Sequence, residues 1–233
     1  MLTRDDRTIP NPSAVCAELG GLGLEQVGFK DVGLAPADLR NVVQAIHALG
    51  AEASMELVGL EWQEEARWAC RAAEAGVDAV LGGAHPELVT RALAGETVRY
   101  FPFAGDVGGH PTRLRGTVAG IMESARRLAD LGAQGLDLLA YRFDGDAPAL
   151  AQAVASATDL PVVAAGGICS DEQIVAMARA GVWGFTMGTA VFGAEYRPDA
   201  VSVRQRVAYA LSAAEHARAG VPILKDGLGT AQC

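Results

Sequence analysis

Only two of the chain's 19 basic residues are lysines, Lys30 and Lys225. A lysine can shed its proton and act as base or nucleophile, which an arginine cannot. Asp31 follows Lys30 directly, and Glu56 sits inside the apolar run Ser54-Met55-Glu56-Leu57-Val58. A carboxylate in such a run needs a partner if it faces a core. Arg142 ends LDLLAYR, Asp5 lies in the turn Arg4-Asp5-Asp6, and His110 lies in Gly-Gly-His-Pro. Two chemistries follow. A Lys30 with a depressed pKa attacks a carbonyl, and the Schiff base serves as electron sink for C–C cleavage or formation. Alternatively Lys30 stays an ammonium paired with Asp31 or Glu56, while Asp5 and Glu56 act as general acid and base. Arg142 either clamps a second anionic group or pairs with Asp144, Asp146 or another strand-end acid. His110 either closes over a substrate or is simply exposed. His85, after Gly82-Gly83, either joins the site or caps a helix. A metal held by Asp5, Glu56 and His85 or His110 has no supporting ligand spacing, so neither metal nor cofactor is expected.

A second feature is the stretch 162–192, VVAAGGICSDEQIVAMARAGVWGFTMGTAVF. Two short apolar runs end in Gly166-Gly167 and Gly188-Thr189, each followed by a helix pattern. Glycine lets a backbone approach a ligand closely, and a helix start offers free N–H groups, so these turns are candidate phosphate holders.

The rest of the chain must position these groups. Short apolar runs at 25–29, 52–57, 78–81, 98–103, 135–140, 160–165 and 184–187 read as buried strands. Helical patterns cover 36–49, 62–75, 86–94, 117–131, 147–157, 170–180 and 202–218, several stopped by glycine. Residues 1–3 read as a very short first strand, and Pro10 or Pro12 opens a first helix to residue 19. The longest Gly-rich loop, AGDVGGHPTRLRG, follows the strand at 98–103. Eight strand–helix alternations predict an α/β fold, a single (β/α)8 TIM barrel over 1–233 with an irregular tail at 220–233. In such a barrel the strand C-termini face the site, and the phosphate turns fall after strands seven and eight. An open doubly wound sheet is the rival, but its G-x-G-x-x-G after strand one is absent.

The apolar half of the composition supports a large core, and the net charge is −9 without a basic run. Nucleic acid and anionic membranes are therefore poor partners. No run approaches the ~20 apolar residues of a membrane span, and the four cysteines form no C-x-x-C pair. A cytoplasmic location is the default expectation.

The segment PVVAAGGICSDEQIVAMARAGVWGFTMGTAVF resembles the last two units of the phosphate-binding TIM barrels. These include the histidine-biosynthesis isomerases and cyclases, indole-glycerol-phosphate synthase, and the hexulose-phosphate and ketogulonate-phosphate enzymes. The resemblance implies that Gly166, Gly167, Gly188 and Thr189 donate backbone N–H groups to a substrate phosphate. The D-x-K-x-x-D motif of the hexulose-phosphate branch is absent, since Lys30 stands in GFKDVG. The expected function is a metal-independent enzyme on a small phosphorylated carbonyl compound, an aldolase-type lyase or synthase using Lys30. The alternatives are an acid–base isomerase or epimerase using Asp5 and Glu56, and a non-catalytic phosphate-ligand sensor. Such a barrel is also expected to form a homo-oligomer.

Overall fold

The computed structural model describes residues 1–59, 61–193 and 195–220. Lys225 and the expected tail beyond Gly220 lie outside the described residues. The chain opens with an antiparallel hairpin, β1 (Thr3–Arg4) and β2 (Arg7–Thr8). Asp5 and Asp6 at its tip have φ of 50° and 57°. Two successive left-handed residues make the type I′ loop that matches strand twist, and Asp tolerates that conformation. Next come α1 (Pro12–Leu19), β3 (Gln26–Lys30), α2 (Leu39–His47), β4 (Glu52–Leu57), α3 (Trp62–Ala75), β5 (Ala79–Gly82), α4 (Pro86–Ala92) and β6 (Arg99–Phe101).

A second hairpin, β7 (Asp106–Gly108) and β8 (Arg113–Arg115), occupies what the sequence suggests is a loop. Val107 pairs with Leu114, and the buried Leu114 bridges to Phe143. One apolar pair thus docks an otherwise polar ribbon. The second half follows: α5 (Val118–Asp130), β9 (Leu136–Leu138), a 3-10 turn Ala140–Arg142, α6 (Ala147–Ala157), β10 (Val162–Ala164), α7 (Asp171–Arg179), β11 (Gly184–Phe185), α8 (Thr189–Phe192) and α9 (Val203–Arg218). Ser170, Thr117, Asp146 and Ser202 each accept a backbone N–H at a helix start, which fixes where α7, α5, α6 and α9 begin. No helix among the described residues is long and apolar enough to cross a membrane.

The parallel strands form two sheets, β3-β4-β5-β6 and β9-β10-β11. They meet where the Asp137 N–H donates to Pro102 O at 2.9 Å and the Ala104 N–H to Asp137 O at 3.0 Å. On the opposite side the N-terminal segment bridges them. The Leu2 N–H donates to Gly28 O at 2.6 Å, and the Met1 amino group to Met187 O at 2.8 Å. The structure is therefore an α/β barrel whose first position differs from the expected parallel strand. The Asp5-Asp6 turn reverses the chain after two paired residues, so a small hairpin stands in for strand one. Gly188 is tied to this seam, because a Cβ there would lie 2.3 Å from the Thr3 hydroxyl and 3.0 Å from Thr3 O.

Register decides which side chains face inward. Lys30 pairs with Glu56, Glu56 with Leu81, and Leu81 with Phe101; Asp137 pairs with Phe103 and Val163. Neighbours across a parallel ladder share a face. Ala79, Leu81, Phe101 and Val163 pack together inside the barrel. The alternate residues, such as Phe29, Met55, Val80, Leu136 and Leu138, pack in the two outer clusters against the helices. Lys30, Glu56 and Asp137 are thus charged residues on the inner wall.

Candidate functional site

The site lies at the C-terminal end of β3 and is organised by Asp6. Lys30 Nζ is 2.8 Å from Asp6 Oδ1 and 3.2 Å from Glu56 Oε1. Arg142, on the 3-10 turn after β9, grips the same carboxylate with both arms, Nη1 to Oδ2 at 2.5 Å and Nη2 to Oδ1 at 2.7 Å. The β7–β8 ribbon reaches in through Thr112. Its N–H donates to Asp6 Oδ2 at 3.3 Å, and its carbonyl accepts from Arg142 Nη1 at 3.1 Å. Thr8 fastens the first hairpin to β3, donating to Lys30 O at 2.7 Å and accepting from the Lys30 N–H at 2.8 Å. Three segments far apart in sequence thus converge on one carboxylate of the first hairpin.

Asp5, the residue the sequence reading favours at this turn, points away. Its side chain is 79% exposed and meets Arg4, while its N–H donates to Thr189 Oγ1 at 3.0 Å. In a type I′ turn the second position, Asp6, is the one directed over the barrel mouth here. Asp31 is buried but not aimed at Lys30. Its carboxylate accepts the N–H groups of Val32, Val58 and Gly59 at 2.9, 3.0 and 3.2 Å, so it staples the loop after β3 to the loop after β4. His110 is exposed on the ribbon. His85 sits at the start of α4, where its N–H and the Ala84 N–H donate to the buried Glu65 of α3 at 3.0 and 2.7 Å. Arg142 pairs with Asp6 rather than with Asp144 or Asp146.

Asp137 has the opposite character. It is fully buried, and neither carboxylate oxygen has a hydrogen-bond partner. LDLL looks apolar in bulk, which hides it. The cue that singles out Glu56, a carboxylate in an apolar run, also applies to Asp137 between Leu136 and Leu138. Thr112 gives no signal in the sequence, since its contact is made by backbone.

The charges set one another's protonation. Burial opposes the charge on Lys30, but Glu56 and then Asp6 outweigh it and hold the ammonium above the ordinary lysine value. Burial likewise opposes ionisation of Asp6, yet the Arg142 hydrogen bonds and the Lys30 charge keep that carboxyl well below the usual range. Burial, then the Glu56 charge, pushes Asp137 well above it, against the weaker pull of Lys30 and Arg142. Burial also raises Asp31 despite its three N–H donors. Among the described residues, no cluster of three or more His, Cys, Asp or Glu side chains is placed to hold a metal ion.

The two glycine turns lie beside this cluster. Gly166 has φ 81°, and a Cβ there would lie 2.9 Å from the Arg142 stem, so glycine lets the arginine pass. Gly167 has φ 101°, and its Cβ position faces only Tyr141 at 3.6 Å or more. The N–H groups of Gly166, Gly167 and Gly188 donate to nothing among the described residues.

A family model described as nitronate monooxygenase matches residues 132–215, from β9 into α9 and fewer than half of the chain. No curated protein sequence matches significantly. Among solved structures, a FabK mutant from Thermotoga maritima is 20% identical with a TM-score of 0.55, covering 83% of this chain. The chain spans 60% of that FabK chain. A native KDPGal structure is 19% identical with a TM-score of 0.62, covering 91% of this chain and 90% of the other. Orotidine 5'-phosphate decarboxylase from Pyrococcus horikoshii OT3 is 12% identical with a TM-score of 0.62, covering 87% and 92%. At these identities the likeness establishes an α/β barrel fold.

Proposed function

We propose that the protein is an enzyme acting on a small phosphorylated carbonyl compound, a sugar phosphate, by acid–base enolisation that leads to isomerisation or epimerisation. The observation that carries this reading is the Lys30 ammonium, set between Asp6 at 2.8 Å and Glu56 at 3.2 Å. A cation fixed in a low-dielectric pocket favours negative charge developing on a carbonyl oxygen. Glu56, the inward carboxylate on the next strand, takes the proton from the adjacent carbon. The substrate phosphate rests on the N–H groups of Gly167, Gly188 and Thr189. Support for this end comes from the free N–H groups of Gly167 and Gly188, from Gly166 lying against the Arg142 stem, and from Thr189 accepting the Asp5 N–H of the turn that carries Asp6.

The aldolase-type reading, in which Lys30 forms a Schiff base, is the second. Support comes from the position of Lys30, the only lysine among the described residues, on the inner wall at the C-terminal end of β3. It requires Lys30 to lose the proton that Asp6 and Glu56 help it keep.

The test is hydrogen exchange in D2O, followed by proton NMR, with dihydroxyacetone phosphate, D-ribulose 5-phosphate and D-glyceraldehyde 3-phosphate. The parent is expected to replace a C–H next to the carbonyl by deuterium. Glu56→Gln is expected to slow that exchange by about 10²–10⁴-fold, the usual worth of a positioned base. No exchange on any of the three compounds would remove the reading.

A further inference from the structure

Among the described residues, every buried carboxylate at or near the barrel mouth has partners, except one. Asp6 accepts from Arg142, Lys30 and Thr112; Asp31 accepts three backbone N–H groups; Glu65 accepts two; Glu56 faces Lys30. Asp137 is 0% exposed and leaves both oxygens without a partner. The only other buried side-chain polar atom so left among the described residues is Arg206 Nε, on α9. An unpartnered carboxyl in an apolar wall is costly. A leucine would fill the same place without that cost.

Register puts Asp137 on the inner face with Glu56 and Lys30, flanked by Phe103 and Val163. The charged groups that act on it are Glu56 from β4, Lys30 from β3 and Arg142 from the 3-10 turn. With Asp137 neutral, the two carboxylates Asp6 and Glu56 balance the two cations Lys30 and Arg142. An ionised Asp137 would leave one buried negative charge over. The charges of the ion-paired groups therefore balance only when Asp137 holds a proton, and neither of its oxygens has a hydrogen-bond partner among the described residues.

We propose that Asp137 is a further catalytic residue, a carboxylic acid inside the barrel that protonates the carbonyl oxygen of an α-hydroxy ketone or aldehyde held beside Lys30. The inference rests on the enolisation reading above. In the step, the substrate C–H bond breaks and Glu56 gains that proton. The carbonyl π pair moves to oxygen, the Asp137 O–H bond breaks, and a new O–H bond forms. The enediol, neutral Glu56 and ionised Asp137 result, with charge conserved. The Lys30 and Arg142 charges, which already act on Asp137 through the barrel interior, offset the burial of the new carboxylate. Isomerisation is completed by the reverse transfers at the neighbouring carbon.

Two measurements test this, using the full chain and Asp137→Asn, which keeps shape and hydrogen-bond donors but cannot give up a proton. Carbon NMR of the parent labelled at aspartate carboxyls is expected to show an acid-form resonance at neutral pH, missing in Asp137→Asn. A parent with no acid-form aspartate, or a resonance that survives the substitution, overturns the proposal; the parent spectrum needs no folded variant. Deuterium exchange on the same three sugar phosphates is expected to fall by about 10²-fold or more in kcat, with KM little changed. Exchange in the parent with an equal rate in Asp137→Asn overturns the role of Asp137 and leaves the enolisation reading standing. No exchange in the parent removes both.

Discussion

Asp6→Asn is expected to destabilise the fold by about 3–5 kcal/mol, the usual consequence of removing one partner from a buried ion pair. Asn is the informative substitution because it tolerates the φ of 57° found there, so the backbone is left undisturbed. What changes is charge. Lys30 and Arg142 lose the carboxylate they share, and the Thr112 N–H loses its acceptor. Urea unfolding gives the number, and a loss below about 1 kcal/mol would place Asp6 among ordinary surface-type pairs. The pH dependence carries an independent sign. Because the folded state holds the Asp6 carboxyl below its ordinary value, its stabilisation is fully present above about pH 3.9 and is lost as pH falls through the lower folded value. Asp6→Asn should therefore be flatter than the parent in strong acid.

Lys30→Met is expected to abolish most activity, a loss of about 10²–10³-fold or more in kcat, as for removal of a fixed donor to a developing oxyanion. Lys30→Arg is not expected to rescue it. The ammonium is a point charge reaching two carboxylates, and a planar guanidinium presents its donors in another geometry. Borohydride with a candidate substrate separates the two chemistries. Retention of the ammonium predicts no mass added at Lys30, whereas a trapped adduct would establish the Schiff-base route. The parent pH–rate profile should also lack a lysine limb below about pH 10.4, because pairing with Glu56 and Asp6 raises the folded value above the ordinary one. The stability that Lys30 contributes is present below that ordinary value and disappears only as pH rises through the folded one.

The barrel was readable because its cues are local. Glycine stops, apolar runs of four to six residues and the Gly166-Gly167 turn each announce an element within a short window. Lys30 stands out as one of two lysines among 19 basic residues and Glu56 as a charge in an apolar run, and the register of β3 on β4 brings them side by side. Which of Asp5 and Asp6 faces the barrel depends on two left-handed backbone angles, and nothing in the side-chain types distinguishes them. Asp137 obeys the same rule that marked Glu56, but it sits between leucines in a three-residue strand, too short for an alternation to show. The Thr112 contact runs through backbone atoms at a ribbon tip and therefore leaves no trace in residue type. The β7–β8 ribbon itself has one apolar pair, Val107 with Leu114, too little to outweigh its glycines in a sequence reading.

The seam closed by the first hairpin bears on how the molecule comes together. The Met1 bond to Met187 spans 186 positions and the Arg142 bond to Asp6 spans 136. Contacts of such separation form late, after the entropy of closing the intervening chain has been overcome. Each half-sheet can gather its own helices first, and Asp6 arrives only when the hairpin docks. Cooperative folding and construction of the electrostatic centre are therefore the same event. A fluctuation that lifts residues 1–9 from the seam would scatter the paired charges while most helices remain in place.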